Sequence, residues 1–139
     1  MRVKLNTMKR IVIIGAGNMG ATHAKALEQN NCSEVVALVS RGDSKLALQK
    51  TLGRDIVLYS DWREAIDVQK PDAVVIASTT ALHAPITTYA LKKGIHVFCE
   101  KPIAETGAEG RRLQALAQEQ DKILVIGYIL EHRDRKSVV

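Results

Sequence analysis

The sequence is poor in aromatic residues, with one Phe, one Trp and three Tyr among 139 residues. Proteins that bind nucleic acid need aromatic rings for base stacking and basic residues clustered on one element. The net charge of +5 does not reveal such a cluster, because Arg2, Lys4, Lys9 and Arg10 contribute +4 of it near the amino terminus. The composition therefore argues against a nucleic-acid partner.

Long hydrophobic runs are also absent. A membrane span needs about 20 apolar residues, whereas the apolar stretches at residues 11–14 and 123–130 are short or interrupted. The basic start followed by four apolar residues does not form the hydrophobic region of a signal peptide. We expect no membrane partner, and we interpret residues 1–8 as a short leader, with Met8 as an alternative start.

Cysteine is scarce, and its spacing is uninformative for a site. Cys32 and Cys99 form no CxxC or Cys/His pattern, so neither a disulfide framework nor a metal site is predicted. A reducing compartment fits, and we expect a cytoplasmic protein. Cys99 lies in an apolar run and is expected to behave as a small buried hydrophobic residue.

The apolar residues that are present form short β-branched runs separated by helical patterns. A chain of this length with 46% hydrophobic and 25% charged residues fits one globular domain. Continuous rather than alternating hydrophobicity indicates parallel strands that are covered on both faces. Strands are predicted at residues 11–14, 35–39, 56–58, 73–77, 95–99 and 123–126, and helices at residues 18–30, 44–52, 61–68, 85–93 and 106–120.

This alternation predicts an α/β fold, a Rossmann-type doubly wound parallel sheet of about six strands. Helix end signals agree with it, because Asp43 and Asp61 precede helices as N-caps would and Gly53 and Gly94 follow helices. The predicted domain covers residues 9–128, and residues 129–139 form a carboxyl-terminal tail.

The first strand leads directly into the turn Gly15-Ala16-Gly17-Asn18-Met19-Gly20. This is the G-x-G-x-x-G pattern in the strand–turn–helix context that dinucleotide binding requires. Gly15 allows the tight turn, Gly17 allows the backbone to approach a pyrophosphate, and Gly20 allows close packing of helix on strand. Together with Asn18 and Met19, these residues are predicted to bind the cofactor. The alternative is that the glycines only make a tight turn.

Cofactor choice is expected about 20 residues after the turn, where NAD enzymes carry an acidic residue for the ribose hydroxyls. Here the second strand ends in Ser40 and Arg41. A hydroxyl and a guanidinium suit a 2′-phosphate, which a carboxylate would repel. The sequence thus favours NADP over NAD, although Asp43 could reach the ribose and Arg41 could be an ordinary solvated side chain.

The second half contains several motifs that belong together. From Ala73 the chain reads AVVIASTTALHAPITTYALKKGIHVFCEKPIAE, in which a strand ends in a polar loop, a His precedes a helix ending in Ala-Leu-x-x-Gly, and a strand leads into Glu-Lys-Pro. With the glycine turn, this resembles the Gfo/Idh/MocA oxidoreductase family over residues 9–128. One departure is Thr80, where many members carry Pro.

The resemblance implies roles for individual residues. Ser78, Thr79 and His83 would line the nicotinamide half of the cofactor, and Glu100 and Lys101 would face the reactive ring, with Lys101 as the catalytic residue. Pro102 would hold the lysine in an extended segment. The alternatives are an exposed charge pair for Glu100 and Lys101, and a histidine bonded to its own loop for His83. His96 is expected to be structural.

The resemblance also implies a second, mostly β-sheet domain with the substrate pocket, for which these residues leave no room. We therefore expect a truncated cofactor half of an NAD(P)-dependent sugar or polyol oxidoreductase. The alternative is a stand-alone, non-enzymatic NAD(P)-binding or redox-sensing module. A class I methyltransferase is less favoured, because Glu-Lys-Pro has no place there. Self-association into a homo-oligomer is a further expectation, from apolar residues near 123–130.

Overall fold

The computed structural model describes residues 8–15, 17–29, 32–52 and 56–127. Within these ranges six strands and five helices alternate along the chain. The elements are β1 Lys9–Ile14, α1 Asn18–Glu28, β2 Ser33–Val39, α2 Ser44–Leu52, β3 Val57–Tyr59, α3 Trp62–Gln69, β4 Ala73–Ile76, α4 Thr80–Lys92, β5 His96–Glu100, α5 Gly107–Gln120 and β6 Leu124–Gly127.

The strands form one parallel sheet in the order β3-β2-β1-β4-β5-β6. β1 pairs with β2 on one side and with β4 on the other, so the strand order reverses between β1 and β4. Ligands of such sheets bind outside the carboxyl ends of the strands at this reversal. The predicted doubly wound Rossmann-type fold is confirmed.

Both faces of the sheet carry a hydrophobic core. Along β1, Ile11 and Ile13 pack on the face that also holds Ala24 of α1 and Leu48 of α2. The alternate residues of β1 pack on the other face with buried residues of α3, α4 and α5. The burial of consecutive β1 residues explains why the strand has no alternating polar pattern.

One helix begins earlier than predicted. α4 starts at Thr80, with Thr79 as its N-cap, and Pro85 lies inside the helix rather than at its first turn. The amide of Leu82 donates to the carbonyl of Thr79 at 3.0 Å, which closes the first turn without a contribution from Pro85. The prediction gave too much weight to the proline as a helix start.

Other differences are shifts of one or two residues at element ends, as is usual for boundaries. Of the end signals, Asp61 accepts a hydrogen bond from the amide of Arg63 at 2.9 Å, and Gly94 adopts φ +79° after α4. Gly53, Ala16, residues 1–7 and residues 128–139 lie outside the described residues. No helix in the described part of the chain is long and apolar enough to cross a membrane.

Candidate functional site

The turn after β1 lies at the reversal of strand order and is packed against the end of β4. Gly15 has φ +101°, a backbone conformation that residues with a side chain rarely adopt. A Cβ at Gly15 would lie 2.5 Å from the carbonyl oxygen of Ala77. The close approach of these two strand ends therefore requires glycine.

The other two glycines of the turn meet opposite surroundings. A Cβ at Gly20 would lie 1.7 Å from the carbonyl oxygen of Gly15, so α1 can pack on the turn only without a side chain there. A Cβ at Gly17 would meet nothing within 4 Å. Gly17 is the N-cap of α1 and supplies no side-chain hydrogen bond. The first amides of the helix therefore adjoin open space beside Gly17, as an anion site requires.

A cleft of about 600 Å³ opens over these strand ends, a size typical of ligand pockets. We call it the switch-point cleft. Its lining residues are Ile14, Gly15, Gly17, Val39, Ser40, Arg41, Ser44, Ser60, Trp62, Ala77, Ser78, Thr79 and Leu82.

The hydroxyl of Ser78 is a polar group of the switch-point cleft that is open to a further hydrogen bond. Its oxygen is buried and has no hydrogen-bond partner among the residues that the structure describes. Burying a hydroxyl without a partner is unfavourable, and such groups in native proteins are usually satisfied. Because Ser78 lines the cleft, a polar atom of a bound molecule can supply the missing bond.

The end of β2 forms a basic corner of the cleft. Ser40 donates from its hydroxyl to the carbonyl of Gly42 at 3.2 Å. The ammonium of Lys45 donates to the carbonyls of Ser40 at 2.9 Å and Gly42 at 2.7 Å. Arg41 is exposed beside them, and so is Asp43. Lys45, which the sequence reasoning did not select, adds a second cation to this corner.

Trp62 closes the cleft near the end of β3, and its ring is fixed by neighbours. The Trp62 ring packs edge-on against Tyr89, with ring centroids 5.3 Å apart. The guanidinium carbon of Arg63 lies 4.5 Å from the centroid of the Trp62 ring. Tyr89 in turn donates to the carboxylate of Asp67 at 2.7 Å. This hydrogen bond lowers the pKa of Asp67 and raises the pKa of the Tyr89 phenol.

His83 is buried at 2% exposure and lies between two chain segments. Its Nδ1 is 2.7 Å from the carbonyl oxygen of Pro102, and its Nε2 is 2.9 Å from the carbonyl oxygen of Ser78. Both nitrogens therefore face backbone oxygens, and the bond to Ser78 agrees with the loop-bonded alternative. A direct contact of His83 with a cofactor stays a prediction, since its ring is not part of the cleft lining.

Glu100 ends β5 and is largely covered, with 16% of its side chain exposed. Its carboxylate forms a hydrogen bond with the Nε2 atom of His23, a residue of α1 that is 4% exposed. The ring of His23 also packs edge-on against Phe98, with centroids 4.9 Å apart. Glu100 is thus held by the helix that follows the glycine turn, rather than standing as an exposed charge.

Lys101 is exposed and lies outside the switch-point cleft. It lines a second cleft of about 580 Å³, the Lys101 cleft, together with Pro102, Ile126 and the chain that leads into α5. His83 lies between the two clefts, since its ring bonds Ser78 of the first lining and Pro102 of the second.

The predicted site residues therefore divide into three groups. Gly15, Gly17, Ser40, Arg41, Ser78 and Thr79 meet in one cleft. Gly20, His83, Glu100 and Lys101 are not among its lining residues. Asn18 and Met19 begin α1, but their side chains lie outside the described residues.

Sequence reasoning missed several residues that contribute to the site. Ser60 and Trp62 directly follow β3, and the rule that strand carboxyl ends form the site could have found them. His23 gave no such signal, because its partner Glu100 lies 77 residues away in the sequence.

His96 and Cys99, the other residues with reactive side chains that the sequence analysis considered, lie within β5. His96 accepts a hydrogen bond from the amide of Ile123 at its Nδ1, at 3.0 Å, which fits the expected structural role. Burial raises the pKa of the Cys99 thiol to about 12, so that this group is inert near neutral pH. The residues that the structure describes contain no group of three or more His, Cys, Asp or Glu suited to a metal ion.

Comparison with known proteins agrees with this geometry. The sequence model of the family GFO_IDH_MocA, described as "Oxidoreductase family, NAD-binding Rossmann fold", matches residues 9–128. Inositol 2-dehydrogenase 1 of Saccharopolyspora erythraea is 32% identical over 123 residues, which is 86% of this chain and 36% of that enzyme.

Solved structures give the same result. GenD2 from gentamicin A biosynthesis, in complex with NAD, has a TM-score of 0.81 at 25% identity and covers 91% of this chain and 36% of its own. Biliverdin reductase from Synechocystis sp. PCC 6803, in complex with biliverdin and NADP+, has a TM-score of 0.82 at 28% identity, with 93% and 42% covered. The chain thus spans less than half of the length of these proteins.

Proposed function

The chain belongs to the Gfo/Idh/MocA oxidoreductase family and comprises its NAD(P)-binding Rossmann domain, and we propose that it prefers NADP for hydride transfer to or from a sugar, polyol or related substrate. The observation that carries the cofactor assignment is the glycine turn at the strand reversal, with Gly17 open to the switch-point cleft. The unpartnered hydroxyl of Ser78 supports a ligand in the same cleft.

The residues of the cleft fit a nicotinamide dinucleotide along its length. The amides at the start of α1 would hold the pyrophosphate, together with Gly15, Gly17 and the backbone of Asn18 and Met19. Ser78 and Thr79, at the opposite side from β2, would hold the nicotinamide half. When bound, the dinucleotide supplies the hydride acceptor or donor, while the chain supplies binding and orientation.

The preference for NADP is supported by the charges at the end of β2. Arg41 and Lys45 are cations beside Ser40, and the carboxylate that would accept the ribose hydroxyls of NAD is missing from the strand end. The Lys45 ammonium uses two of its hydrogens on backbone carbonyls and has a third for an anion. A 2′-phosphate would gain charge-assisted hydrogen bonds from both side chains.

Lys101 is the proposed catalytic residue. Its side chain is exposed and lines the Lys101 cleft, and His83 bonds both Pro102 of this cleft and Ser78 of the switch-point cleft. An ammonium in this place can hold a substrate hydroxyl and stabilise the negative charge that develops on its oxygen. The substrate class comes from the relatives, since the similar enzyme of Saccharopolyspora erythraea is an inositol 2-dehydrogenase.

Calorimetric titration with NADPH and NADH tests the cofactor proposal. We expect NADPH to bind more tightly, and the substitutions Arg41→Ala and Lys45→Ala each to weaken NADPH binding by roughly tenfold while leaving NADH unchanged. Lys50→Ala is the matched control, because Lys50 lies in the last turn of the same helix, whereas Lys45 bonds the carbonyls of Ser40 and Gly42 near its start. Equal affinity for both cofactors would refute the NADP preference, and binding of neither would refute the function itself.

A further inference from the structure

We propose that His23 and His83 are positioning residues that hold the segment 100–102 from two sides and so direct Lys101 toward the ring end of the dinucleotide. We refer to them as the histidine pair. This inference rests on the proposed function, because it gives the pair a purpose only where a nicotinamide ring binds beside Lys101.

One side of the arrangement starts on the helix that follows the glycine turn. His23 projects from α1 to the carboxylate of Glu100, and both side chains are largely buried. Phe98 and Glu100 are two residues apart on β5 and therefore point to the same face of the sheet. His23 contacts both of them, one through its ring edge and one through Nε2. The helix that would hold the pyrophosphate is thereby joined to the residue before Lys101.

The other side starts on α4. His83 bonds the carbonyl of Pro102, the residue after Lys101, and the carbonyl of Ser78 at the end of β4. Each ring nitrogen of His83 thus lies within hydrogen-bond distance of one of these two carbonyl oxygens. Pro102 has no amide hydrogen, so its carbonyl is the one backbone group of this residue that can form a hydrogen bond.

Lys101 lies between these two attachments and is itself exposed. If the segment had no attachments, its backbone would lose conformational freedom when Lys101 met the ring. Fixing the backbone on both sides removes part of that cost before the cofactor arrives, as preorganisation does in other binding sites. The histidine pair therefore acts through Lys101 rather than by touching the cofactor.

The test compares two ligands on the whole 139-residue chain. NADPH spans the cleft, whereas adenosine 2′,5′-bisphosphate contains only the adenine half and cannot reach Lys101. We expect His23→Leu and His83→Leu each to weaken NADPH binding by roughly tenfold and to leave binding of the fragment unchanged. Lys101→Met is expected to show the same selective loss, and its combination with His83→Leu should lose no more than either alone.

His96→Leu is the matched control. His96 lies at the opposite end of β5 and accepts a hydrogen bond from the amide of Ile123, so its loss should leave the NADPH-to-fragment ratio unchanged. His23→Gln is the conservative variant, because the amide nitrogen of Gln can occupy the place of Nε2 and donate to Glu100. Its NADPH affinity should recover most of what His23→Leu loses.

The outcomes separate the two proposals. If wild-type protein binds neither ligand, the proposed function fails. If wild-type protein binds both, but the leucine variants weaken fragment and NADPH equally, the histidines only maintain the fold and the positioning role is wrong. Unchanged NADPH binding in these variants, or a His23→Gln variant no better than His23→Leu, would equally overturn it. Hydrogen exchange at the amides of Lys101 and Ile103, measured without ligand, should be faster in the leucine variants than in His96→Leu.

Discussion

Two glycines of the turn after β1 differ in what a side chain there would meet. A methyl group at Gly20 would overlap the carbonyl of Gly15 at 1.7 Å, and neither group can move without displacing α1 or β1. We expect Gly20→Ala to lower the free energy of unfolding by more than about 3 kcal/mol, as the largest core substitutions do. Chemical denaturation would measure this loss.

Gly17→Ala separates binding from folding at the same turn. Its methyl group meets nothing within 4 Å, and the residue has φ −80°, which alanine adopts freely. The fold should lose less than about 1 kcal/mol, chiefly through the poorer N-cap. The methyl group would occupy the space assigned to the pyrophosphate, so NADPH affinity should fall by at least about tenfold. A variant that binds NADPH normally would contradict this placement.

The Cys99 thiol gives stability a dependence on alkaline pH. Burial raises its pKa from 9.0 to about 12, so that between these values the folded chain keeps a proton that the unfolded chain has lost. The stabilisation is complete below pH 9 and decreases as pH rises toward 12, with a slope of at most about 1.4 kcal/mol per pH unit. Serine does not titrate there. The stability difference between wild type and Cys99→Ser should therefore shrink across this range.

Cys32→Ser provides the comparison for that measurement, because Cys32 is exposed. Its denaturation profile gives the effect of removing an exposed thiol over the same pH range. A constant gap between wild type and Cys99→Ser up to pH 11 would show that the thiol is not shielded as the structure indicates.

Among single residues, those whose place in the site depends on local chain geometry could be predicted from the sequence. The glycine spacing and the polar ends of β2 and β4 are read within a few positions, and Gly15, Gly17, Ser40 and Ser78 do meet in one cleft. The environment of His83 was only partly foreseen, since its bond to Pro102 joins residues 19 positions apart. Contacts across the sheet depend on register, which no local pattern contains.

At the scale of elements, β5 and β6 pack closely because the ring of Phe98 on β5 lies over Gly127 on β6. A Cβ at Gly127 would lie 2.3 Å from Cζ of Phe98, so Gly127→Ala must displace the ring. We expect a loss of about 1–3 kcal/mol in the free energy of unfolding, which is usual for overpacking. Phe98→Leu shortens the side chain, and the double variant should lose less than the sum of the single losses.

Gly107→Ala is the control for this pair. Its Cβ would meet only the guanidinium end of Arg111 at 3.3 Å, a group that can move, and the position lies in the first turn of α5. Alanine favours a helix more than glycine does, so this variant should be unchanged or more stable. Additive losses for Gly127→Ala and Phe98→Leu would show that the ring does not cover Gly127.

The order of elements was predictable because each strand is a short, continuous apolar run between helix end signals. The start of α4 was not, because Pro85 is read locally as the first residue of a helix. In the structure Thr79 and Leu82 close the first turn earlier, and His83 of this turn bonds both Ser78 and Pro102. These contacts therefore make the helix begin five residues before Pro85, where local preference would start it.

On the scale of the whole molecule, the described residues form the switch-point cleft, and Lys101, the proposed catalytic residue, is exposed in a second cleft. The chain spans 36% of the related inositol 2-dehydrogenase, and Lys101 faces its cleft as an exposed side chain. Hydride transfer needs the substrate held close to the ring in a fixed orientation, and effective molarity is lost when it diffuses freely. Cofactor binding and turnover should therefore be separable in this polypeptide.

We expect the 139-residue chain to bind NADPH in calorimetry and yet show no turnover, followed by nicotinamide absorbance, over a panel of sugars and polyols that includes inositols. The control is a fusion that continues the chain with the remaining part of an inositol 2-dehydrogenase of the family, in which activity should appear and should be lost in Lys101→Met. If the chain alone turned over a polyol at a rate typical of enzymes, the described residues would have to contain the substrate site, and the Lys101 cleft would be its location. If the fusion folded, bound NADPH and stayed inactive, Lys101 would not support catalysis even where the attached part of the enzyme can orient the substrate. A binding or sensing role would then be favoured instead.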